Sequence, residues 1–281
     1  MIPLGRGPVP TTAAELADRL GYGVRRILQV ERGDPRVDVR MSRDHIDRIA
    51  IDITGLSTSG PATLTPGFGA ADHPSVIDVL AIDGDPVGIR GVPVTLSAEG
   101  RGLPVAFRTT TLDDTWIVAD DRSPSGSATR PEGASAAAPT AWLEASARLD
   151  TVEDALRAEL DQRARAHGFT LKSLALDVRS AGRRGITLRA DATVGKSFLS
   201  AKVTATATVT IDDDLVLLVS NLALTSGNPL VTAILARARG PLDEWDGRRV
   251  DLTAYSFAGA RLRDVELSAD DAIRFRATFG G

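Results

Sequence analysis

The residues that could do chemistry in this chain are few and widely spaced. There is no cysteine among the 281 residues, which excludes disulfides, thiolate metal ligands and a thiol nucleophile. The histidines are His45, His73 and His167. None of them lies at a metal-ligand spacing or beside a residue that it could activate as a nucleophile. The sequence therefore predicts surface or helix-end histidines, no metal site and no catalysis.

Two further patterns imitate known sites. Gly195, Lys196 and Ser197 match the end of a phosphate-binding loop, but the position of its first glycine is Ala190. The residues that follow also have the period of a strand, whereas a phosphate-binding loop leads into a helix. The aspartates at 212–214 lack the glycine and the distal glutamate of a calcium loop, and are predicted to be turn residues. We therefore expect no bound nucleotide, calcium or other cofactor.

The net charge and the aromatic content of the chain indicate which classes of partner it can bind. The net charge is −4 and aromatic residues make up 4%, which argues against nucleic acid, because binding it needs a basic surface and stacking side chains. Four arginines close to an apolar segment are candidates for anionic lipid headgroups, although acidic residues lie among them and a solvated mixed-charge face stays an alternative. These arginines are Arg237, Arg239, Arg248 and Arg249.

A stretch rich in Pro, Gly, Ser and Ala divides the chain nearly in half. Residues 123–140 are predicted to be a flexible linker between an N-terminal unit, 1–122, and a C-terminal unit, 141–281. Each unit is predicted to open with a helix entered through a threonine, Thr12 in the first and Thr151 in the second. After each helix the spacing of apolar residues changes to two, which predicts antiparallel strands.

The longest alternating run covers residues 199–211, with aliphatic residues on one side and mostly threonines on the other. As one strand it would span about 43 Å at roughly 3.3 Å per residue. The usual strand has only ~5 to 6 residues, so this length predicts a strongly twisted or wrapped sheet.

The apolar side of these strands is rich in alanine where a sheet normally presents Val or Ile. Something must lie close against such small side chains, because protein interiors contain few voids. Two alternatives for what lies against the alanines stay open. Either the second helix packs there through its leucines, or an apolar tunnel there holds a ligand. The predicted lining is Leu156, Leu160, Leu188, Ala190, Ala192, Ala201, Val203, Ala205, Ala207, Val209, Ile234 and Leu235.

The order of these elements resembles that of a known family. A helix is followed by long meandering strands, an Asn-Pro-Leu helix start at 228–230 and a terminal hairpin that includes 257–267. This order resembles the LmeA-like phospholipid-binding family of actinobacteria, which belongs with the tubular lipid-binding (TULIP-like) proteins. The resemblance implies an α+β fold in which a long, highly curved antiparallel sheet wraps around one long helix, twice in tandem. It also implies an apolar groove for the acyl chains of a lipid.

Two classes of function therefore stay open. The first is non-catalytic binding of a lipid or another apolar small molecule in a groove between helix and curved sheet. The second is a structural or interaction protein with a filled core and no ligand. The N-terminal residues lack the apolar segment of a signal peptide, which predicts a cytoplasmic protein. Peripheral contact with the inner face of the membrane, and the oligomeric state, stay open.

We expect limited proteolysis to cleave the chain first within 123–140, because a segment with few large apolar residues has little surface to bury. Mass spectrometry of the fragments locates the cut. A first cut inside 199–211, with 123–140 intact, would contradict both the predicted linker and the predicted strand.

Overall fold

The computed structural model describes residues 1–42, 45–62, 64, 66–120, 138–166, 168–196, 199–227, 246–257 and 259–280. The chain divides into two compact units. The first comprises Met1–Ala145, Tyr255–Asp264 and Ala277–Gly281, and the second comprises Ser146–Ala254 and Val265–Arg276. Most of the predicted linker lies outside the described residues, so the boundaries 1–122, 123–140 and 141–281 stay a prediction.

Before the predicted linker, the part of the chain that the structure describes forms one helix and eight strands. Helix α1 is Ala13–Leu28. The strands are β1 (Ile2–Arg6), β2 (Val30–Arg32), β3 (Arg36–Ser42), β4 (His45–Asp52), β5 (Ser57–Thr58), β6 (Phe68–Ile89), β7 (Val92–Thr110) and β8 (Asp114–Ala119).

After it, the described residues form one α-helix, nine strands and a short 3-10 turn at Leu252–Ala254. Helix α2 is Leu149–Ala166. The strands are β9 (Thr140–Arg148), β10 (Thr170–Ser180), β11 (Gly185–Lys196), β12 (Leu199–Ile211), β13 (Val216–Ser226), β14 (Arg249–Asp251), β15 (Ser256–Phe257), β16 (Ala260–Ala269) and β17 (Ala272–Gly280).

The strands form two sheets. Twelve of them make a mixed sheet in the order β15-β16-β17-β9-β7-β6-β4-β3. In addition, β8 pairs with β7 and β1 with β8, while β5 pairs with β6 and β2 with β5. Strand β6 pairs in parallel with β4 and β5, and in antiparallel fashion with β7. The other sheet has five strands in the order β10-β11-β12-β13-β14, all antiparallel.

The first unit has a closed apolar core. Helix α1 begins where the sequence predicts, since the Thr12 hydroxyl accepts a hydrogen bond from the Glu15 backbone N–H at 3.2 Å. The helix buries Leu16 and Leu20, which are 0% and 1% exposed. They belong to one cluster with the sheet residues, among them Ile46, Ile49, Ile77, Leu103 and Val105.

The predicted fold class is wrong. The sequence indicated an α+β, TULIP-like fold in which a long curved sheet wraps around one long helix, twice in tandem. The chain is instead mostly β-structure with a mixed sheet, and its two described α-helices have 16 and 18 residues. No described residue of α2 is fully buried. A wrapped helix needs a broad apolar face, and the narrow Val152, Leu156 and Leu160 stripe of α2 does not supply one.

Helix α2 lies along the edge of the five-stranded sheet. It begins at Leu149 rather than at the predicted cap Thr151, whose hydroxyl instead donates to the Arg148 carbonyl at 2.8 Å. Glu153 accepts a hydrogen bond from the Leu176 N–H of β10 at 3.0 Å, and Arg157 donates to the Leu174 carbonyl at 2.8 Å. These side chains also pair with each other at 2.9 Å. The helix thus satisfies backbone groups that an edge strand would otherwise leave open to pairing with another chain.

We expect Glu153→Ala to lower the free energy of unfolding by about 1–2 kcal/mol, because it removes the charged acceptor of the Leu176 N–H. The matched control is Glu159→Ala, since Glu159 forms the same type of helical ion pair, with Arg163, at 2.7 Å. An exposed pair of that kind contributes at most about 0.5 kcal/mol. Urea denaturation compares the two variants, and equal effects would contradict the role assigned to α2.

Candidate apolar binding face

The register of the five-stranded sheet places its small apolar residues side by side. Leu176, Ala190, Ala205 and Leu224 pair in succession across β10 to β13. Because side chains alternate along each strand, the neighbouring rows on the same side are also apolar. We call this side the apolar face, and its central residues on β11 and β12 are Leu188, Ala190, Ala192, Val194, Ala201, Val203, Ala205, Ala207 and Val209.

Burial on the apolar face is uneven. Leu174 and Val178 on β10 are each 4% exposed. Ile186, near the start of β11, and Ile211, at the end of β12, are each 5% exposed. The alanines of β11 and β12 are only half-buried. Among the residues that the structure describes, the middle of this face is therefore not covered as a protein core would be.

The structure places the predicted lining residues in three groups. The eight on β11 and β12 share the apolar face. Leu156 and Leu160 are half-buried on α2, which packs along β10. Ile234 and Leu235 lie outside the described residues. The described part of the chain shows no ligand groove between α2 and the sheet.

Of the four arginines predicted to bind a lipid headgroup, the structure describes two. Arg237 and Arg239 lie outside the described residues. Arg248 and Arg249 are exposed. Arg249 pairs in register with Leu218, whose other partner is Thr210, and its guanidinium is 3.6 Å from an Asp212 carboxylate oxygen. It therefore lies on the threonine side of the sheet, away from the apolar face.

The opposite side, which we call the polar face, is internally paired. Asp191 accepts hydrogen bonds from the Arg189 guanidinium and the Thr204 hydroxyl, and Lys202 lies 3.8 Å away. Its bond to Arg189, followed by that to Thr204, lowers the pKa of the Asp191 carboxyl to about 2. Threonines at alternate positions of β12 fill the rest of this face. The charged groups at the centre of the polar face are thus paired with one another.

One cluster of polar side chains in the first unit was not foreseen. His45 was predicted to be a surface residue, but it is half-buried and its Nε2 lies 2.8 Å from Asp78 Oδ2 and 4.0 Å from Asp47 Oδ1. The alternation of His45 and Asp47 is a signal in the sequence. Asp78 is 31 residues further along from Asp47, and only the parallel pairing of β4 with β6 brings it close. His73 is exposed, as predicted, and His167 lies outside the described residues.

Cavities also lie in the first unit. A cleft of about 570 Å³ is lined by Arg6, Asp18, Arg19, Tyr22 and other residues of β1 and α1. A smaller one of about 290 Å³ includes Phe107 and Ser75 in its lining. Neither contains a residue from the predicted lining.

Comparisons with known proteins give no match, whether with family models, with curated proteins or with solved structures. The function must therefore be argued from the chain's own geometry.

The depressed pKa of Asp191 predicts a pH dependence of stability. The folded state favours the ionised carboxylate, so its contribution to stability is present above the ordinary pKa of 3.8 and is lost as the pH falls toward about 2. We expect the free energy of unfolding to fall less over this interval in Asp191→Asn than in the unchanged protein. Denaturant titrations at several pH values measure this. High salt should shrink the difference, because the pair is exposed, and identical pH profiles would contradict the assignment.

Proposed function

We propose that the second unit binds the acyl chain of a lipid, without catalysis, on the apolar face of its five-stranded sheet. The observation that carries the proposal is the pair of adjacent strands, β11 and β12, whose alanines are half-buried among the described residues while the reverse side of the same strands is polar. A contiguous apolar surface of this kind, bounded by polar residues, is typical of a binding site.

The sizes of the side chains on the apolar face support the proposal of a linear apolar ligand. In the row Leu176, Ala190, Ala205 and Leu224, two methyl groups lie between two leucines. In the adjacent rows Ala192 lies beside Val203, and Ala207 lies beside Leu188. The alanines therefore form a low path across the two central strands with taller side chains at its borders. A methylene chain lying along such a path gains about 0.8 kcal/mol for each buried CH₂.

The proposal leaves headgroup recognition aside, because Arg249 lies on the polar face and pairs with Asp212. The proposal therefore concerns only the acyl part of the ligand, for which the protein offers an apolar surface. None of the described helices combines the length and the apolar character that crossing a bilayer requires. Peripheral contact with a membrane surface stays a further prediction.

Ala205→Phe tests the proposal. The added ring should fill the low path and displace an acyl chain, while the melting temperature stays within a few degrees of that of the unchanged protein. Organic extraction of the purified protein followed by mass spectrometry measures bound lipid, and titration with a fluorescent polyene fatty acid measures affinity. Thr193→Phe, on the polar face of β11, is the matched control and should keep both signals.

The same experiment distinguishes the alternative, a structural or interaction protein with a filled core. If protein already packs on the alanines, Ala205→Phe overpacks it and costs about 1–3 kcal/mol. A lipid-free parent that does not bind the fatty acid, together with a destabilised Ala205→Phe variant, would contradict the proposal and favour that alternative.

A further inference from the structure

We propose that His45, Asp47 and Asp78 bind a divalent transition-metal ion, with Zn²⁺ as the representative ion. The site belongs to the first unit and shares no residue with the apolar face. The proposal of metal binding can therefore be tested independently of the proposal of lipid binding.

The distances between the three donor groups fit a common ion. Their ligand atoms all lie within 4.8 Å of one another. His45 Nε2 is 2.8 Å from Asp78 Oδ2 and 4.0 Å from Asp47 Oδ1. Two atoms bound tetrahedrally to one Zn²⁺ ion, at about 2.0–2.1 Å each, are about 3.3 Å apart. Shifts of less than about 1 Å, within the reach of side-chain rotation, convert the present cluster into a three-ligand site.

The backbone of the sheet builds this arrangement. Ile46 and Arg48 of β4 pair with Ile77 and Val79 of β6, so the residues between them, Asp47 and Asp78, are neighbours. The pairing of β3 with β4 shifts by one residue at Asp47, which is the additional residue of a β-bulge. Bulges commonly re-aim a side chain next to a functional site. Here the bulge lies between His45 and the regular part of β4.

An outer-shell hydrogen bond orients one of the carboxylates. The Ser42 hydroxyl donates to Asp47 Oδ2 at 2.7 Å, while the other oxygen, Oδ1, is the one on the His45 side. Ligating carboxylates are usually held in this way by a second hydrogen bond, and loss of such a partner weakens metal binding 10- to 100-fold.

The local charge favours a cation. The Asp47 and Asp78 carboxylates are 40% exposed, and the His45 imidazole between them is 21% exposed. Within the described residues, the ionic partner of both carboxylates is this histidine, and no Lys or Arg is paired with either. A divalent ion would balance both charges and take a neutral imidazole nitrogen as its third ligand. One nitrogen and two oxygen ligands suit Zn²⁺ and its neighbours in the first transition row better than Ca²⁺ or Mg²⁺.

The experiment uses the full chain without a histidine tag, stripped with a chelator and dialysed. Isothermal titration with ZnCl₂ measures affinity and stoichiometry, and the visible spectrum of the Co²⁺-loaded protein reports a ligand set that a merely structural histidine would not produce. We expect one ion per chain. His45→Gln, Asp47→Asn and Asp78→Asn should each weaken binding at least tenfold, and Ser42→Ala should weaken it at constant stoichiometry.

The control is Asp83→Asn, on the same strand β6, because Asp83 accepts a hydrogen bond from Ser97 and lies outside the cluster. It should bind Zn²⁺ like the unchanged protein. The near-isosteric asparagine variants are expected to fold, and circular dichroism verifies this. Absence of saturable Zn²⁺ binding below the millimolar range, or binding that survives all three ligand substitutions, would overturn the proposal.

Discussion

The alternation of apolar and polar side chains along β11 and β12 is the constraint on which the second unit depends. The two strands pair continuously from Gly185 with Thr210 to Lys196 with Leu199. This register keeps every alanine and valine of one strand beside an apolar residue of the other. A slip by one residue would bring threonines into the apolar rows, so the register is strongly specified. A sheet with this pattern offers one face to water and one face that requires cover.

The two units meet this requirement differently. In the first unit α1 and the sheet close a core, and the largest fully buried side chains of the described residues lie there, with Val265 of the C-terminal hairpin as the exception. In the second unit α2 lies at the edge of β10, where Glu153 and Arg157 satisfy backbone groups. Its position protects the edge of the sheet but leaves the central alanines half-exposed. This difference in burial is why the apolar face is the candidate binding surface.

Local features of the fold could be predicted from the sequence, and long-range ones could not. The strand at 199–211 is confirmed to the residue, and Thr12 caps α1 as predicted, because side-chain period and capping are local properties. The prediction of a helix wrapped by the sheet is wrong, because the periodicity of a helix does not show against which part of a sheet it packs. The parallel pairing of β4 with β6 crosses a long stretch of chain. The His45 cluster depends on that pairing and was therefore not foreseen.

The two faces of the sheet carry different methyl groups, and this permits a direct test of where an acyl chain lies. With methyl-labelled alanine and threonine, isotope-filtered nuclear Overhauser spectra can be recorded in the presence of an unlabelled long-chain fatty acid. The account predicts cross-peaks from the acyl protons to the methyl groups of Ala190, Ala205 and Ala207, and none to those of Thr187 or Thr193 on the polar face. Cross-peaks to the threonine methyls, or to neither set under conditions where the fatty acid is bound, would contradict it.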